Sequence, residues 1–189
     1  LNATCRALGG TPYGRLLVPE DEHAPDAPPG VEVRRYEITA GTSVLSVLLE
    51  LGDAILDHDM VLLPGGGCSE ISAESLAAAL SAMHESPLVG VVAFDPAEPA
   101  IAEDIGQNLL IEWSYLAGIP IPDNPAVGPA FSDRALVRTN ALRPLLDHRN
   151  EVRSSWLPDP RRARFIERQL SGLCKERGYT IKLPGDEGA

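Results

Sequence analysis

Met60-Val61-Leu62-Leu63-Pro64-Gly65-Gly66-Gly67-Cys68-Ser69-Glu70 is the stretch on which the fold turns. Four consecutive apolar residues describe a short strand buried on both faces, and the Pro-Gly-Gly-Gly run ends it abruptly. From Ser72 to His84 the chain is Ala-rich and helical in character, with Glu74 in the first turn, where a carboxylate favours the helix dipole. Leu88 to Phe94 is the next apolar strand. Strand, glycine loop, helix and strand in this order are the unit from which α/β sheets are built.

Upstream, Leu1, Cys5 and Leu8 stand at helical spacing before Gly9-Gly10. Gly14 to Val18 reads as a strand that runs into an acidic, turn-rich loop holding Glu20, Asp21, Glu22, His23 and Asp26. Val31 to Tyr36 is a second short strand after Pro28-Pro29-Gly30. Val44, Val47, Leu48, Leu51 and Ile55 then recur at three- and four-residue steps, which predicts an amphipathic helix over 43–57 that begins after Gly41 and Thr42.

Downstream, residues 100–117 read as a helix stopped by Pro120 and Pro122, and Ala130 to Val137 as strand-like. Residues 144–160 read as irregular and polar. A basic amphipathic helix over 162–177 carries Phe165, Leu170 and Leu173 on one side. Gly178 caps it, and Tyr179 to Leu183 is the last strand. The alternation predicts one α/β domain over 1–189 with a largely parallel sheet of about six strands and flanking helices. Its two halves are 1–95 and 96–189, the second with the Arg-rich helix.

Composition agrees with one domain that has a proper core: 189 residues, 44% hydrophobic and 23% charged. No apolar run is long enough to span a membrane and no secretory leader pattern is present, so a cytoplasmic protein is expected. The three cysteines, Cys5, Cys68 and Cys174, lack the spacing of a zinc site or a disulfide framework and read as reduced thiols. Net charge is −11, yet residues 36–133 contain no Lys or Arg, while 131–183 carry 12 basic side chains against 6 acidic. A nucleic-acid backbone would have no cation to meet over that long stretch, so nucleic acid is not an expected partner.

Ligands of α/β sheets collect at the carboxyl ends of the strands. The carboxylates after Val18 can accept hydrogen bonds from a base or ribose, or form a solvated acidic loop. The loop at Gly65 and Gly66 brings unhindered backbone to a helix start, where a phosphate fits, or is a plain turn. Cys68 in that loop is either a thiol activated by the helix or, more often for a lone Cys, inert. Asp57-His58-Asp59 has the D-x-D form that holds a divalent ion against a diphosphate, although periodicity sets it before the apolar strand rather than after it. His84 and His148 read as surface groups, and Trp113 and Trp156 as core or rim packing rather than ligand-stacking platforms.

Leu1-Asn-Ala-Thr-Cys-Arg-Ala-Leu8, the strand ending in carboxylates, Gly41, Met60 to Gly66, Leu76 to Leu80, Ser86 to Val92, Gly128 to Leu136 and Arg177-Gly-Tyr-Thr-Ile181 follow one another over nearly the whole chain. This order resembles the inverting family-2 glycosyltransferases of GT-A fold. The resemblance implies transfer of a sugar from a nucleotide-sugar donor to an acceptor hydroxyl, with Mn2+ or Mg2+ as a cofactor where a D-x-D is present. It implies that Glu20, Asp21 and Glu22 contact the nucleoside, that Gly41 opens the helix beneath it, and that Gly65 and Gly66 line the nucleotide. Three departures accompany it. The family's first strand should precede Leu1, and Pro64-Gly65-Gly66-Gly67 stands where its D-x-D ends the strand, leaving Asp57 and Asp59 as the metal candidates. Counting back from Gly178 to the acid pair that carries the base reaches Ile166 and Glu167, so Glu167 is the base candidate. Arg161, Arg162, Arg164 and Arg168 then stand as cations for the leaving diphosphate. The rival reading is a non-catalytic relative that kept the fold as a binding or assembly module. A third starts from Leu-Pro-Gly-Gly-Gly-Cys, which also looks like the turn of glutamine-amidotransferase-like or protease-like α/β proteins.

Overall fold

The four residues Met60–Leu63 do form a strand, and both of its faces are covered. The computed structural model describes residues 15–19, 32–36, 44–64, 71–97, 107–118, 130–131, 134–163, 165–166, 174 and 177–183. In chain order these form β1 (Arg15–Pro19), β2 (Glu32–Tyr36), α1 (Val44–Glu50), α2 (Gly52–Leu56), β3 (Met60–Pro64), α3 (Ala73–Glu85), β4 (Val89–Ala93) and β5 (Pro96–Ala97). There follow α4 (Gln107–Ala117), β6 (Ala130–Phe131), β7 (Arg134–Arg138), α5 (Thr139–Asp147), α6 (Arg149–Glu151), a π-turn at Val152–Trp156 and β8 (Thr180–Lys182). The helix read over 1–8 lies outside the described residues.

The main sheet has four strands in the order β3-β7-β4-β8. β7 runs antiparallel to both β3 and β4, whereas β4 and β8 are parallel. β3, β4 and β8 therefore point one way with a single reversed strand among them. The sheet is mixed, and among the described residues it has four strands and not the expected six: β1 and β2 pair in parallel as a separate two-stranded unit, and β5 pairs with β6 antiparallel. The residues of β7 could not disclose this reversal, because an apolar strand buried on both faces reads the same in either direction.

The period-2 alternation of strands sorts the core into two layers. Leu63, Val91, Ala93, Ala135 and Val137 face a large cluster built with Leu45, Leu48 and Leu49 of α1, Leu142, Leu145 and Leu146 of α5, and Trp113, Trp156 and Phe165. Val89, Val92 and Leu136 face Ala79 and Met83 of α3 on the other side. Val89 and Val91 would share a face in a regular strand; an irregularity of register between them sends them to opposite layers. Ser72 caps α3, its side chain accepting the Ser75 N–H at 3.0 Å.

The helix expected over 43–57 is present in two pieces, broken at Leu51 before the buried Gly52. The irregular, polar reading of 144–160 is corrected by the structure. α5 continues through Pro144, and Leu145, Leu146, Val152 and Trp156 are all buried. Asp147, Arg149, Glu151 and Arg153 interrupt these positions, so that Leu145, Val152 and Trp156 share a helical face only at steps of seven and four, and Pro144 lies inside α5. Of the helix read over 162–177, residues 162–163, 165–166 and 174 are described and helical, 177 is in a turn, and the rest lie outside the described residues. Gly178 has a φ of +79° and the Tyr179 N–H donates to the Cys174 carbonyl at 2.9 Å, the closure that glycine permits without strain.

Gly90 is set by a different demand. A Cβ there would lie 2.5 Å from the Cβ of Tyr179 and 2.7 Å from its Cγ, where β8 closes against β4. Those atoms are the root of the side chain and cannot swing away. Gly90→Ala is expected to cost ~2 kcal/mol through overpacking, with a fall of several degrees in the thermal midpoint. A midpoint within a degree of wild type in calorimetry would show that β8 does not approach β4 this closely.

Candidate functional site at the strand-end edge

Because β3, β4 and β8 share a direction, their carboxyl ends meet at one edge of the sheet, and the start of the reversed strand β7 lies there too. In register, Pro64 pairs with Arg134, Ala93 with Ala135, and Val92 with both Leu136 and Lys182. The Phe94 N–H donates to the Arg134 carbonyl at 2.9 Å and carries the β4 chain one residue further, to Asp95. An Arg134 Nη1–H then donates to Asp95 Oδ2 at 2.7 Å. The guanidinium side of this ion pair is 9% exposed and the carboxylate 47%. A nearly buried cation is thus held at the strand ends, next to the residue from which Gly65 and Gly66 lead off.

The opposite edge carries different chemistry. Asp59 precedes β3, its carbonyl accepts the Thr139 N–H at 3.0 Å, and both Asp57 and Asp59 are exposed there. The D-x-D pair therefore stands at the amino end of β3, across the sheet from the glycine loop. Among the described residues no three His, Cys, Asp or Glu side chains converge closely enough to hold a metal ion. Arg138, also at this edge, is spent on structure: its Nε donates to the Val89 carbonyl at 3.0 Å and its Nη2 to the Met83 carbonyl at 2.6 Å, covering the end of α3.

Two members of the arginine cluster are described. Arg162 donates to Glu112 Oε2 at 2.9 Å and to the Ser155 carbonyl at 3.2 Å, with its guanidinium 5.3 Å from the centre of the Trp156 ring. It ties α4 to the π-turn. Arg161 is exposed, and its backbone N–H donates to Asp159 Oδ1 at 2.8 Å. Glu20, Asp21, Glu22, Gly41, Gly65, Gly66, Arg164, Glu167 and Arg168 lie outside the described residues, as do His23, Asp26, Cys5 and Cys68.

The tryptophans are core residues. Trp113 and Trp156 meet edge to face with centroids 5.6 Å apart, and Trp156 leans on Phe165 at 6.1 Å. His84 is exposed on α3 with Nδ1 2.7 Å from the Leu80 carbonyl, and His148 is half-buried between α5 and α6. Among the described residues no helix is long and apolar enough to cross a membrane. The Asp95–Arg134 pair escaped sequence reasoning because its members are 39 residues apart and nothing in either segment names the other. The one available signal was that Arg134 is the first basic residue after Arg35 and opens an apolar strand.

No protein-family model matches the chain, and no curated protein or solved structure matches it either.

Burial pushes the Cys174 thiol up to about 12. Only ~1 in 10,000 of its molecules is then thiolate at pH 8, against roughly a quarter for an exposed thiol. Peptide mapping after iodoacetamide treatment at pH 8 is expected to find Cys174 unmodified in the native protein and fully modified in guanidinium chloride. Rapid native labelling would show that the end of the late helix opens.

Proposed function

We propose that the chain is a glycosyltransferase that moves a sugar from a nucleotide-sugar donor to an acceptor hydroxyl, acting in the cytoplasm. The observation that supports it most is the strand-end edge, where three carboxyl ends, Asp95 and Arg134 come together and where β3 ends at Pro64, the residue before Gly65-Gly66-Gly67 in the sequence. An edge of this kind is where α/β sheets seat nucleotides. On this reading the β1–β2 pair and the four-stranded sheet belong to one GT-A-like sheet of about six strands. Glu20, Asp21 and Glu22 after β1 face the nucleoside, with Gly41, Gly65 and Gly66 where backbone must come close.

Glu167 follows directly on Ile166, which is fully buried, and stands eleven residues before the cap at Gly178. In the proposed reaction its carboxylate takes the proton of the acceptor hydroxyl as that oxygen bonds to the anomeric carbon. The bond from the anomeric carbon to the nucleoside diphosphate breaks, with inversion. Arg161, Arg164 and Arg168 are the proposed cations for the departing charge, and Arg162 is engaged with Glu112 and Trp156. Among the described residues, Asp95 is the one carboxylate at this edge and is bound to Arg134, while Asp57 and Asp59 stand at the other end of β3. No step is assigned to a metal.

The same absence of a D-x-D beyond β3 favours a second reading, a binding or assembly module that retains the nucleotide seat without turnover. Release of nucleoside diphosphate from UDP-, GDP- and dTDP-sugars separates the two. The transferase reading predicts turnover of at least one donor, and a loss of about 10²- to 10⁴-fold in Glu167→Gln with donor binding retained. Binding without release by the wild type supports the module, and neither binding nor release removes both.

A further inference from the structure

We propose that Asp95 and Arg134 form an anion site in which the carboxylate holds the guanidinium until a phosphate group takes its place. The inference rests on the nucleotide reading above and assigns the diphosphate of that ligand to a residue the Arg-rich helix does not contain. Its basis is the asymmetry of the pair. Arg134 is nearly buried, and Asp95, bonded to it at 2.7 Å, is about half exposed.

A guanidinium withdrawn from water at a sheet edge carries a desolvation cost, and tying β4 to β7 does not require it. Their main chains are already joined by the ladder that pairs Val91, Val92 and Ala93 with Val137, Leu136 and Ala135, and by the Phe94 N–H to the Arg134 carbonyl. The Arg134 backbone is also the register partner of Pro64, so the strand that carries the cation lies between the ends of β3 and β4. Over residues 36–133 there is no other Lys or Arg to meet a phosphate. Arginine offers a planar fork that suits carboxylate and phosphate oxygens alike, so one anion can replace the other on it. The exposed side of the exchange is the Asp95 side: the carboxylate turns toward water as the phosphate arrives, and the cation stays fixed. The swap supplies a pre-placed positive group for one phosphate of a diphosphate without a metal ion.

Calorimetric titration with UDP, GDP and dTDP, in EDTA and in manganese, tests this on the full chain. The wild type is expected to bind at least one of them in EDTA. Arg134→Gln should weaken that binding about 10- to 100-fold, as loss of a charge-assisted contact does. Asp95→Asn should tighten it at least about fivefold, because the competing carboxylate is gone. A purely structural pair predicts instead that both variants bind more weakly or that neither changes, and either result overturns the inference. If Arg134→Gln does not fold by circular dichroism, Asp95→Asn decides alone: tighter binding supports the site, and unchanged or weaker binding overturns it. Binding that appears only with manganese overturns this inference while leaving the transferase reading in place. No binding in either condition overturns both.

Discussion

The antiparallel seating of β7 between β3 and β4 is the constraint from which the rest of the described structure follows. Ala135, Leu136 and Val137 are all buried, with Ala135 and Val137 on one layer and Leu136 on the other. A slip of one residue would send each side chain to the wrong layer, so the register is held by packing on both faces at once. That register places Arg134 at one edge beside Pro64 and Asp95, and Arg138 at the other, over the end of α3. Two arginines four positions apart thus serve opposite edges, one at the candidate site and one covering helix carbonyls.

Most of the elements were legible from residue pattern, and their arrangement was not. The strands at Arg15–Pro19, Glu32–Tyr36, Met60–Pro64, Val89–Ala93 and Thr180–Lys182, and the helix at Ala73–Glu85, lie where periodicity and turn residues place them. The direction of β7 is a tertiary property, decided by which neighbours its side chains fill, and a buried apolar strand carries no mark of it. Pro144 and the charges around it concealed α5 and the π-turn, although Leu145, Leu146, Val152 and Trp156 keep helical spacing. The pair Asp95–Arg134 becomes visible only once strands distant in sequence are set side by side.

The two edges of the sheet divide the chemistry that the sequence suggested. Asp57 and Asp59 have the right letters for a metal site and stand at the amino end of β3, away from the glycine run. The strand-end edge has one described carboxylate and one guanidinium bound to each other. An anion meeting this edge encounters a guanidinium already paired with a carboxylate, and one meeting the other edge encounters two exposed carboxylates. A neutral pair opposes an anion less than two exposed carboxylates do, so the phosphate-bearing ligand proposed above is placed on the Arg134 side. Arg162, which composition groups with the basic helix, belongs instead to the packing around Trp156.

The claim at the centre of this account is that the strand-end edge, and not the D-x-D edge, receives the ligand. Hydrogen exchange followed by mass spectrometry, on the full chain with and without a saturating nucleoside diphosphate, compares the two edges directly. The account predicts slower exchange in peptides that cover 62–64, 93–97 and 134–136, with peptides over 57–59 unchanged. Protection confined to 57–59 and the neighbouring Thr139 would contradict it.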